Sequence, residues 1–128
     1  MSPLLGVPSH DGEGEGMRVY VAGPYTSAPE ANTREAMEIG RQLLAAGHAP
    51  YIPHLSHYLD LYIEETTGKR LPAQTYYDLD FVWLKQCEAI VLFGDWEQSK
   101  GAVAEYHFAI RHEIHIYYWR YHAKELLR

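Results

Sequence analysis

One stretch limits what this chain can fold into more than any other. It is the apolar run Ala89-Ile90-Val91-Leu92-Phe93-Gly94 and, close behind it, Ser99-Lys100-Gly101-Ala102-Val103-Ala104-Glu105. A short apolar run bounded by Gly and Asp reads as a buried strand. Ser99 reads as the N-cap of the next helix, its hydroxyl accepting from a first-turn amide that has no partner within the helix. Gly101, Glu105 and Ala109 are spaced i, i+4, i+8 and so share one helix face. The two small residues leave room beside the carboxylate for something flat or bulky. A carboxylate one turn inside a helix that follows a central strand stands where open α/β sheets bind ligands. An exposed Glu on an ordinary surface helix has the same spacing.

The same strand-then-helix order recurs along the chain. Arg18-Val19-Tyr20-Val21-Ala22-Gly23 reads as a buried, central first strand. It ends in the turn Gly23-Pro24-Tyr25-Thr26-Ser27, where Gly23 permits a close backbone approach and the next residues offer a ring and two hydroxyls. This turn is not a G-x-G-x-x-G fingerprint, which argues against a dinucleotide site. Asn32 and Glu35 read as a capping box opening a helix with apolar or small residues at Ala36, Ile39, Gly40, Leu43 and Leu44, stopped by Gly47. Ala49 to Ile52 reads as a second strand. Leu55, Tyr58, Leu59, Tyr62 and Ile63 recur at helical spacing up to Gly68.

Residues 69 to 74 read as a loop, and Thr75 as the N-cap of a helix over 75–87. That places Asp78 in the first turn, where a negative charge suits the helix dipole. Asp80 differs, because it shares a stripe with Trp83, Leu84 and Cys87. A carboxylate beside an apolar face is costly unless it is paired or lines a pocket. Ile114 to Tyr118 reads as the last strand, with His115 packed inside it, and residues 121 to 127 as a closing helix. The alternation implies a parallel, doubly wound sheet with the 19–22 and 89–93 strands adjacent at its centre. Four strands are visible, and a fifth would have to lie in the 60s or 70s.

Composition removes several function classes. No run approaches the roughly 18 apolar residues of a membrane span, and no basic-then-apolar signal peptide opens the chain. The single cysteine, Cys87, excludes an internal disulfide and fits a reducing, cytoplasmic setting. A net charge of −6 without any Lys/Arg cluster argues against duplex nucleic acid. An anionic small ligand stays open, since helix N-termini hold phosphate even on acidic proteins. His54 and His57 form an H-x-x-H pair, but no further ligand sits at zinc spacing, so no metal is expected and His54 is placed on a pocket wall. Residues 1–16, with the run Asp11-Gly12-Glu13-Gly14-Glu15-Gly16, read as a flexible leader to a single domain over 17–128.

Four segments together carry a resemblance. They are Tyr20-Val21-Ala22-Gly23-Pro24-Tyr25, Pro50-Tyr51-Ile52-Pro53-His54, the D-x-x-W-L-x-x-C run from Asp80 to Cys87 with Glu88-Ala89-Ile90, and Ser99-x-Gly101-Ala102-x-x-Glu105. In this order they are similar to the nucleoside 2-deoxyribosyltransferase superfamily, most of all its small DUF4406-like branch, related to the nucleoside 5′-monophosphate N-glycosidases. The resemblance implies a flavodoxin-like α/β fold with a parallel central sheet of four or five strands. It also implies homodimers, or higher homo-oligomers, that complete each other's sites. By it, Glu105 matches the nucleophile, Asp80 the carboxylate on the base side, and Ser99 the hydroxyl that holds a 5′-phosphate. The Gly23-Pro24-Tyr25 turn is closer to the transferase type than to the Gly-Ser-rich turn of the hydrolases. Water and a second base therefore both stay open as acceptor.

The expected substrate is a nucleoside or nucleoside 5′-monophosphate, with Glu105 and Asp80 as catalytic carboxylates and no cofactor. Tyr20, Gly23, Tyr25, Thr26, Ser27, His54, Trp96, Ser99 and Gly101 form the candidate substrate-binding set, with Tyr25 or Trp96 stacking on the base. The alternative is a non-catalytic nucleotide-binding or sensing module using the same crevice.

Overall fold

A computed structural model describes residues 16–128, so the leader expected over 1–16 lies, apart from Gly16, outside the described residues. Strand β1 is Arg18–Ala22, β2 Ala49–Tyr51, β3 Ala89–Leu92 and β4 His115–Tyr118. Helix α1 is Pro29–Ala45, α2 Ser56–Thr67, α3 Ala73–Leu84, α4 Lys100–Arg111 and α5 Trp119–Leu126. The four strands form one all-parallel sheet in the order β2-β1-β3-β4. The two central strands are the expected neighbours, with Val19 opposite Ala89 and Ala22 opposite Leu92.

Period-two alternation explains the layers. Val19 and Val21 point into a core shared with Ala36, Ile39 and Leu43 of α1 and Leu126 of α5. Tyr20 and Ala22 point the other way, into a core with Leu84 of α3 and Ala109 of α4. Helices thus cover both faces of the sheet, a flavodoxin-like three-layer sandwich. The chain leaves β1 for β2 on one side and returns to β3 on the other, so the carboxyl ends of β1 and β3 flank the switch point where such sheets bind ligands. His48 ties the periphery together. It accepts at Nδ1 from the Met17 amide (3.0 Å) and donates from Nε2 to the Leu126 carbonyl (2.6 Å). No helix among the described residues is long and apolar enough to cross a membrane.

The structure corrects several local expectations. No fifth strand lies in the 60s or 70s, because those residues form α2 and α3. Helix α1 starts at Pro29, whose fixed φ and missing N–H suit a first helical position, rather than after Asn32. Asn32 instead turns back, its side-chain amide donating to the Tyr25 carbonyl and the Ser27 hydroxyl (3.1 Å each), which fixes the β1–α1 loop. Helix α3 likewise starts at Ala73 behind Pro72, so Thr75 is not its cap. Asp78 falls in the second turn, where it accepts from Gln74 one turn earlier (2.8 Å). His115 is exposed, its ring lying over Tyr117 with centroids 4.4 Å apart, rather than packed inside.

Candidate functional site

A cavity of about 630 Å³ opens at the switch point. Its floor comes from the β1–α1 turn and α4, and its walls from the segment after β2 and from α2, α3 and the loop between them. Gly23 ends β1 under the ring of Phe93, where a Cβ would stand 2.3 Å from a ring carbon. No other residue fits there without moving the ring. Gly23, Tyr25, Thr26, His54, Ser99, Gly101, Asp80 and Glu105 all line the cavity.

Glu105 is its most buried carboxyl, at 7 % exposed. The Tyr20 hydroxyl, on a ring wholly withdrawn from solvent, donates to its Oε2. Burial pushes the Glu105 carboxyl up to about 8; the Tyr20 bond pulls against this and the nearby Asp80 charge adds to it. Tyr20 therefore does not face the cavity but acts through Glu105, and its own phenol is raised by burial and by the Glu105 charge.

Asp80 keeps one oxygen, Oδ1, buried with no partner among the described residues. Burial raises its carboxyl to about 7. An acid so placed near neutrality can hold a proton and give it up, which a solvated Asp does poorly.

Ser99 caps α4, its hydroxyl accepting from the Ala102 amide at 3.2 Å. Gly101 lets helix α3 come close, with the Tyr77 ring 3.3 Å from where a Cβ would be. Lys100, which sequence reasoning passed over, is the first residue of α4 and lines the cavity. Its positive charge opposes the helix dipole, and no acidic residue in that turn offsets it.

His54 donates from Nε2 to the Pro24 carbonyl (2.8 Å), which fixes the tautomer because a carbonyl can only accept. Nδ1 is left as a buried acceptor without a partner among the described residues. Burial lowers the ring's pKa, so the neutral form is favoured.

The far wall escaped sequence analysis. The Tyr25 hydroxyl meets His57 Nδ1 at 2.9 Å. Asp60 accepts from Tyr76 (3.0 Å) and from Arg70 (2.8 Å), and the Arg70 bond holds its carboxyl below the usual range. Asp60, Arg70 and Tyr76 all line the cavity. The signal available was slight: a lone Arg in a loop and a Tyr next to a polar helix start.

Two expected binding residues are placed elsewhere. Trp96 lies in the one-turn helix Trp96–Gln98 and packs on Tyr106 and Tyr118, with centroids 4.9 and 6.0 Å away. It lines a separate hollow with Tyr118 and Tyr121, and so is not positioned to stack on a ligand above Glu105. Ser27 is exposed, bonded to Asn32, and does not line the cavity. His54 and His57 serve different partners rather than one centre.

The family model described as Domain of unknown function (DUF4406) matches residues 17–118, from the start of β1 to the end of β4. No curated protein matches the chain.

Proposed function

The chain belongs to the DUF4406 family, and we propose that it breaks the N-glycosidic bond of a (deoxy)nucleoside or its 5′-monophosphate, as a member of the nucleoside 2-deoxyribosyltransferase superfamily. The observation that carries this reading is the Glu105–Asp80 pair lining one cavity: a buried carboxylate held by Tyr20, and a second carboxyl raised to about 7. Departure of the base leaves an oxocarbenium-like sugar, which a carboxylate stabilises or traps as a glycosyl ester. Glu105 supplies that carboxylate. The C1′–N bond breaks towards the base nitrogen, and Asp80 delivers the proton that the nitrogen gains. Water, or a second base, then takes the sugar from Glu105 and returns a proton to Asp80.

Ser99, the first-turn amides of α4 and Lys100 suit a 5′-phosphate. The outward face of the cavity wall also supports a dimer. Leu59 and Tyr62 of α2 and Val82 of α3 are 48, 60 and 60 % exposed, and α2 buries none of its residues. A second copy closing over that face would cover apolar surface that isolated proteins seldom expose.

One observation favours the alternative of a binding or sensing module. With Glu105 raised to about 8, most of the nucleophile is protonated at neutral pH. The deciding experiment incubates the protein with a panel of nucleosides and 5′-monophosphates and reads free base by chromatography. Release abolished by Glu105→Gln supports the glycosidase. Saturable binding without release from any member of the panel supports the module.

A further inference from the structure

Trp83 belongs to the D-x-x-W run but lies outside the cavity lining, and the glycosidase reading does not use it. Its ring stacks on Tyr51 with centroids 5.7 Å apart and planes 22° from parallel. Tyr51 stacks in turn on Tyr20 at 5.6 Å and 29°. The inner end of this column is fixed, because Tyr20 is fully buried in the central strand and its hydroxyl is engaged by Glu105. The outer end is Trp83, 46 % exposed, one helical turn after Asp80 and on the same face of α3. Three rings from three elements, α3, β2 and β1, thus run from the helix that carries one carboxylate to the hydroxyl that holds the other.

Asp80 sits alongside the column. Its charge acts on both Tyr51 and Tyr20, and the Tyr51 phenol is raised to about 12, chiefly by burial and then by Asp80. Offset-stacked rings prefer a definite mutual geometry and attract each other beyond the gain from burial alone. Helix α3 fully buries only Leu84, with Phe81 stacked on Phe108 of α4, so the column adds to a thin seam.

We infer that Trp83 and Tyr51 are positioning residues, the stack Trp83–Tyr51–Tyr20 setting the distance and water exclusion between Asp80 and Glu105. The inference rests on the glycosidase reading for its bearing on catalysis, but the stack itself does not depend on turnover. Neither ring lines the cavity. Each acts by holding α3 against the sheet, so that Asp80 stays dry and within reach of the group above Glu105. Misplacement of a reacting group by about 1 Å costs on the order of 100-fold in rate.

The test follows the side-chain carboxyl ¹³C signals of Asp80 and Glu105 against pH in the parent, Trp83→Ala, Trp83→Phe and Tyr51→Ala, with melting curves for each. Trp83→Ala and Tyr51→Ala admit water and lower the Asp80 midpoint by half a unit or more, while Trp83→Phe keeps it. Tyr51 is inside the column, off the outer face, so its variant reports the stack without altering a surface that a second copy would cover. If Tyr51→Ala does not fold, Trp83→Ala against Trp83→Phe decides. Where base release is measurable, kcat falls about 10- to 100-fold in Trp83→Ala with KM nearly unchanged. Coincident titrations in the parent and Trp83→Ala, or an equal shift in the Phe and Ala variants, overturn the inference. Absence of base release by the parent rejects the glycosidase reading instead, and the titrations still decide the stack.

Discussion

Tyr20 and Glu105 meet where the sheet touches helix α4, the phenol of the central strand donating to the carboxylate of the helix. The ring that carries the donor is completely covered. The bond favours ionised Glu105, while burial favours the protonated form, and burial prevails. Removing the hydroxyl in Tyr20→Phe leaves only the upward influences. The Glu105 midpoint should rise above about 8, read by carboxyl ¹³C titration. A midpoint unchanged by the substitution would show that the bond does not hold the charge.

Glu105 should weaken the fold as pH rises. Its folded pKa, about 8, exceeds the ordinary 4.5, so the folded state binds the proton more tightly than the unfolded chain does. The contribution to stability is complete below pH 4.5 and is lost progressively as pH climbs towards 8. Glu105→Gln carries no charge at any pH. It should match the parent near pH 5 and be more stable at pH 9, by roughly a few kcal/mol. Thermal melts at pH 5, 7 and 9 check this; parallel melting curves across the range refute it.

The pH dependence of turnover should be bell-shaped. The reacting form needs Glu105 ionised and Asp80 protonated, yet burial sets the first near 8 and the second near 7. The maximum therefore falls between these values, and each limb belongs to the pair rather than to one residue. Asp80→Asn should abolish the alkaline limb and lower turnover about 10²–10⁴-fold, most for bases that leave poorly. Asp78→Asn serves as the control, because Asp78 bonds Gln74 and lies outside the cavity lining. Initial rates from pH 5.5 to 9.5 decide, and an inactive Asp78→Asn beside an active Asp80→Asn would reverse the assignment.

Ser99 and Lys100 should separate stability from recognition. Ser99→Ala removes the cap on the Ala102 amide and should cost about 1 kcal/mol of stability. Lys100→Ala relieves a charge opposed to the dipole and should be neutral, or stabilising by up to about 1 kcal/mol. Both should weaken binding of a 5′-monophosphate while leaving the matching nucleoside nearly untouched. Calorimetric titration with each ligand makes the comparison, and equal loss for both ligands rejects the phosphate role.

Gly23→Ala tests the floor of the cavity. Its new methyl would press on the Phe93 ring at 2.3 Å, and overpacking of this kind costs about 1–3 kcal/mol. A melting temperature equal to the parent's would mean that Phe93 has somewhere to go.

The central architecture was legible because it rests on local pattern. Two apolar runs, each followed by a glycine or capped helix, announce neighbouring parallel strands, and the Ser99 cap and the Gly101–Glu105 spacing follow from helix geometry alone. Asp80 was legible as a carboxylate on an apolar stripe, and its bare Oδ1 is the physical counterpart of that conflict. Helix starts were misread wherever a proline outranked a polar cap, at Pro29 and at Pro72 before Ala73. Trp96 was misplaced because nearness in sequence to β3 says nothing about which way a one-turn helix aims its side chains. Arg70, Tyr76 and Asp60 were invisible for a different reason. Their meeting depends on how α2 and α3 pack in space, and no spacing along the chain encodes it.

An all-parallel sheet also limits how this molecule can be made. No two adjacent strands can zip together as a hairpin, because each pair is joined through a helical crossover. Central β1 leaves the ribosome early but must wait for Ala89 to Leu92 before its second edge is paired. Such long-range pairing is slow, and the intervening chain carries the apolar faces of α2 and α3 while it waits. Helix α4 follows three of the four strands along the chain. The pocket that buries the Glu105 carboxylate needs the Tyr20 hydroxyl of β1, so it can close only once this long-range contact has formed.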